Sequence, residues 1–111
     1  SHFDNPYGLF SENHYTTAKD MALIAVAAFH NEKFLDIEKN LRHTLNGLQR
    51  LPEGNTIYME HKMMLPDSRF YDKRVVAGKT GFTKNSGNTL LTLAKEGDRR
   101  LVTVVLGDKT P

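Results

Sequence analysis

Thr89-Leu90-Leu91-Thr92-Leu93-Ala94-Lys95-Glu96-Gly97-Asp98-Arg99-Arg100-Leu101-Val102-Thr103-Val104-Val105-Leu106 is the stretch whose reading decides the fold. Two runs rich in β-branched and large aliphatic residues flank Lys95-Glu96-Gly97-Asp98, a turn-forming tetrad, so the segment predicts an antiparallel hairpin. Upstream, Val75-Val76-Ala77-Gly78-Lys79-Thr80 has the same character and predicts a third strand, joined to the hairpin through Gly81 to Asn88. Further back the pattern becomes helical. Met21, Ile24, Ala25, Ala28 and Phe29 recur on one stripe behind Thr17, whose hydroxyl suits a helix cap, while Asp20 favours the positive end. This predicts a helix from Thr17 to about Asn31, and a shorter one from Glu32 to about Ile37 carrying Phe34 and Leu35.

Between these regions, Asn46-Gly47 and Pro52-Glu53-Gly54-Asn55 break the span from Leu41 to Tyr58 into a loose hairpin or irregular section. Met63-Met64-Leu65 is a brief apolar patch stopped by Pro66, and Asp67-Ser68-Arg69 is expected to loop across the surface. The expected fold class is α+β, an antiparallel sheet packed with helices. One partial domain is expected over residues 1–111, with the helical part at about 1–65 and the sheet at about 73–107.

Bulk properties exclude several classes. With 39% hydrophobic and 25% charged residues the chain is of ordinary globular composition. Its net charge is +2 and its basic residues are interspersed with acidic ones, so no stripe exists to track a nucleic-acid backbone. The absence of cysteine excludes disulfides and thiolate metal sites. No apolar run approaches the roughly 20 residues that span a bilayer, and no signal peptide is recognisable. The opening at Ser1, followed at once by Asp4-Asn5-Pro6-Tyr7-Gly8, is expected of a piece of a longer protein.

Chemistry concentrates at Lys79-Thr80-Gly81, at the end of a predicted strand. A compact ammonium there can hold a carboxylate where water is partly excluded, and a threonine hydroxyl adds a short donor. Gly81 removes the side chain that would obstruct a peptide lying along the strand, and the backbone N–H of Phe82 could face a developing oxyanion. The same triplet is a signature of β-lactamases and penicillin-binding proteins.

Four segments extend the likeness: Phe3-Asp4-Asn5-Pro6-Tyr7-Gly8-Leu9, His14-Tyr15-Thr16-Thr17-Ala18-Lys19-Asp20-Met21-Ala22, Gly78-Lys79-Thr80-Gly81-Phe82-Thr83 and Arg100-Leu101-Val102-Thr103-Val104-Val105-Leu106-Gly107. In their order and separations, the chain resembles the serine D-alanyl-D-alanine carboxypeptidases, the low-molecular-mass penicillin-binding proteins. The resemblance implies part of a β-lactamase/transpeptidase-like fold, and a serine that cleaves between two D-alanines of a peptidoglycan stem peptide through an acyl-enzyme. It implies Lys79, Thr80 and Gly81 as substrate-binding residues, and Lys79 with the Phe82 N–H as catalytic groups. It also implies acylation by β-lactams and a bacterial cell-envelope location; no cofactor or metal is expected. The family's Ser-x-x-Lys and Ser-x-Asn motifs lie upstream of the segment resembling Phe3 to Leu9, so the N-terminal half of the domain is expected elsewhere. None of Ser1, Ser11, Ser68 and Ser86 begins a Ser-x-x-Lys, and the chain alone is expected to be inactive. Its uncovered apolar faces would favour a homodimer, exchange of elements or a rearranged core.

Two other readings remain open: a non-catalytic module that binds cell-wall peptides, and a fragment of a class A β-lactamase. Ser86-Gly87-Asn88 spells Ser-x-Asn but follows the Lys-Thr-Gly strand and is taken as coincidence, and Thr16-Thr17-Ala18-Lys19 is explained by capping. His2, His14, His30, His43 and His61 form no metal-ligand pattern, and Glu60-His61 is expected to be solvent-exposed. Tyr7, Tyr15, Tyr58 and Tyr71 are expected to pack, and Arg99 and Arg100 to keep a strand edge soluble.

Overall fold

The chain is described here by a computed structural model covering residues 1–47 and 49–110. Helix α1 spans Ala18–His30, and the Thr17 hydroxyl accepts from the Asp20 N–H at 3.1 Å, as the cap reading requires. Asn31 separates α1 from α2, Glu32–Glu38. Its N–H closes α1 on the Ala28 carbonyl, while its side chain accepts from the Phe34 N–H at 3.1 Å and opens α2. One residue therefore ends one helix and starts the next.

Strands β1, Arg42–Leu45, and β2, Asn55–Tyr58, form a separate antiparallel pair, and among the described residues of the first 65 the helices lie within 18–38. Strands β3, Val75–Thr83, β4, Gly87–Glu96, and β5, Arg99–Asp108, make an antiparallel sheet in that order. The β4–β5 hairpin is tighter than the predicted tetrad. Glu96 pairs with Arg99, so only Gly97 and Asp98 turn, with Gly97 at φ 57° in the left-handed region that glycine enters freely. Strand β3 also runs past the predicted Thr80 to Thr83, so Gly81 and Phe82 lie within the strand, opposite Thr89 and Asn88.

Helix α1 lies over β4 and β5, and the core common to helix and sheet is Ala25, Phe29, Ala77 and Leu93. The alternation of strand side chains puts Leu91, Leu93 and Val102 on this helix-covered face. Ile24, expected on the buried stripe, is 47% exposed, because only the Ala25 and Phe29 edge of α1 meets the sheet. The four tyrosines are also exposed rather than packed. The radius of gyration is 15.4 Å, against about 13 Å for a compact domain of this length, and large apolar side chains such as Leu9, Phe10, Leu23 and Leu101 are exposed. No described helix is long and apolar enough to cross a membrane.

Candidate functional site

Strand β3 is an edge of its sheet, hydrogen-bonded to β4 on one side and unpaired on the other. Its central residues lie where two cavities meet. One, of about 360 Å³, lies between β3, the end of α2 and the β1–β2 hairpin, with Arg42, Tyr58 and Glu60 in its wall. The other, of about 670 Å³, spreads toward β4 and β5 over Met63, Phe82, Leu90 and Val105. Lys79, Thr80 and Glu60 border both.

Lys79 is exposed, Thr80 and Gly81 are half-buried, and Phe82 is 70% exposed. The Lys79 ammonium donates to the carbonyl of Thr80, and among the described residues no carboxylate lies within ion-pair reach of it. A positive charge facing a cleft without its own counter-ion is suited to an incoming anion. Gly81 is covered from the β4 side. The Thr89 hydroxyl donates to its carbonyl at 3.2 Å and stands where a Cβ at position 81 would approach within 2.6 Å. The predicted residues 79–82 are therefore contiguous along one open strand edge.

Sequence reasoning missed His61. Expected on the surface, it has no solvent exposure, while Glu60 beside it is exposed. Its Nε2 lies 2.8 Å from the Thr92 hydroxyl, its Nδ1 has no partner, and burial pushes its pKa below the ordinary histidine value. The available signal was indirect. The apolar Met63-Met64-Leu65 that follows anchors this loop through buried Met64, and Gly78 leaves room for a ring behind β3.

The other motifs have structural causes. The Asn5 side chain accepts from Gly8 N–H at 2.8 Å and donates to the Leu9 carbonyl at 3.0 Å, with Gly8 at φ 77°, so Asn5-Pro6-Tyr7-Gly8-Leu9 is a self-bonded loop. Ser86 lies 2.6 Å from the Thr83 hydroxyl and helps form the β3–β4 turn. At the start of β3 the Asp72 carboxylate takes both Nε and Nη2 of Arg74, which holds its pKa well down, at about 2. No cluster of metal-ligating side chains occurs among the described residues.

D-alanyl-D-alanine carboxypeptidase DacC of Escherichia coli (strain K12) is 34% identical over 110 residues, which are 97% of this chain and 24% of that protein. DacF of Bacillus subtilis (strain 168), also a D-alanyl-D-alanine carboxypeptidase, is 34% identical over 113 residues, 98% of this chain and 26% of that protein. The chain thus spans about a quarter of the length of these relatives. A mutant of the Streptomyces K15 DD-transpeptidase shares the fold at a TM-score of 0.83 and 20% identity, over 99% of this chain and 42% of that one. Residues 1–110 match the peptidase S11 family, D-alanyl-D-alanine carboxypeptidase, and the chain belongs to that family.

Proposed function

We propose that this chain forms one wall of the active site of a bacterial serine D-alanyl-D-alanine carboxypeptidase that trims peptidoglycan stem peptides outside the cytoplasm. The observation that carries the reading is the open edge of β3, where Lys79, Thr80 and Gly81 border two cavities and the ammonium has no acidic partner among the described residues. The substrate's terminal carboxylate sits on Lys79 and Thr80, and its backbone runs along the strand where Gly81 presents no side chain. A serine from outside these residues attacks the penultimate carbonyl. The Phe82 N–H helps stabilise the oxyanion, the terminal D-alanine leaves as its amine after accepting a proton, and water then hydrolyses the ester. β-Lactams acylate the same serine.

The test is the full-length protein and its Lys79→Ala variant, assayed for D-alanine release and for acylation by a labelled penicillin. Wild type should do both, and Lys79→Ala should lose on the order of a hundredfold in acylation rate, the scale for removing one preorganised charge stabiliser. Unchanged acylation in folded Lys79→Ala overturns the reading.

A further inference from the structure

His61 takes no part in the reaction as proposed, yet it is one of the two largest fully buried side chains. Buried polar groups cost free energy unless they are partnered, and here one ring nitrogen is partnered and the other is not. Something at this position favours the ring. Gly78 and Thr92 are cross-strand partners, so their side-chain positions share one face of the sheet. The imidazole occupies the place that Gly78 leaves empty. A Cβ on Gly78 would come within 2.5 Å of the ring Cδ2 and 2.8 Å of Nε2, while Nε2 itself reaches the Thr92 hydroxyl.

Among the described strands, β4 alone holds β3, and the His61 ring is a second hold one residue before Lys79. The ring also lines the larger cavity together with Lys79, Thr80 and Phe82. We propose that His61 is a positioning residue for the Lys79–Phe82 rim: wedged against Gly78 and tied to Thr92, its ring sets where the ammonium and the Phe82 amide stand. This rests on the proposed function. Truncating the ring opens a void behind Gly78, and an edge strand with one flank unpaired relaxes into it.

The experiment uses the full-length protein with His61→Ala, His61→Gln, Thr92→Val and, as reference, Lys79→Ala. The acylation rate with labelled penicillin and the separate kcat and KM on a D-Ala-D-Ala peptide are measured alongside thermal melting. His61→Ala should lose about a hundredfold in acylation and kcat, the scale for misplacing catalytic groups by an ångström. His61→Gln, which keeps a polar atom near the Thr92 hydroxyl, should recover most of it, and Thr92→Val should lose less than His61→Ala. Acylation of His61→Ala at the wild-type rate overturns the proposal, as does a loss that His61→Gln fails to recover. Wild-type acylation by Lys79→Ala would instead overturn the proposed function.

Discussion

The Thr89 hydroxyl occupies the space a side chain at Gly81 would need: it lies 2.6 Å from where a Cβ would stand and donates to the Gly81 carbonyl at 3.2 Å. The Thr89 Cβ is 4.0 Å from the same point, an ordinary contact. Gly81→Ala in the full-length protein should therefore cost about 1–3 kcal/mol by overpacking. Adding Thr89→Ala should return most of that, as a double-mutant cycle of unfolding free energies will show.

Gly78→Ala should behave differently. Its new methyl meets the His61 ring, but also the Leu91 carbonyl at 2.5 Å, which is backbone and cannot turn aside. Combining it with His61→Ala should leave the protein destabilised relative to His61→Ala alone. Recovery to the level of His61→Ala would show that the ring is the sole obstacle.

The buried imidazole makes stability pH-dependent with a definite sign. Desolvation lowers the folded pKa of His61 from 6.5, so between the two values the unfolded chain binds more protons. This contribution is fully present above pH 6.5 and is lost as pH falls toward the lowered folded value. Melting curves across that window should show wild type losing stability on acidification more steeply than His61→Gln.

At the head of β3, Arg74→Gln should release the Asp72 carboxyl from about 2 toward its ordinary 3.8, read by NMR titration. The hydrogen bonds from Arg74 are the main cause of the depression, so an unmoved Asp72 would contradict the pairing. The associated stability is present above pH 3.8 and is lost as pH falls through about 2.

The 111-residue chain by itself should form no covalent adduct with a labelled penicillin. None of its four serines begins a Ser-x-x-Lys, and Ser86 is engaged in the β3–β4 turn. A stoichiometric adduct detected by mass spectrometry would contradict this.

Elements governed by local chemistry were legible in the sequence. The Thr17 cap, the helix behind it and the β4–β5 hairpin follow from hydroxyl placement, periodicity and a glycine turn, and the structure reproduces them. The extent of β3 was not legible, because Gly81 reads locally as a breaker while pairing with β4 carries the strand through it to Thr83. The exposure of Ile24 and the tyrosines depends on which elements cover α1 and the loops, and the burial of His61 depends on a sheet contact 31 residues away in sequence. Neighbour spacing holds no trace of either. Residues 79–82 were singled out by their motif, and their common open edge emerges only from strand order.

The β1–β2 hairpin forms one side of the smaller cavity, yet among the described residues no other helix or strand approaches its backbone closely. If Lys79 receives a ligand as proposed, substitutions at Arg42 or Tyr58 should reshape the cavity beside it without disturbing the packing that keeps the sheet intact. On the proposed function, the reach of a ligand to the strand and the integrity of the fold would then rest on separate parts of the molecule.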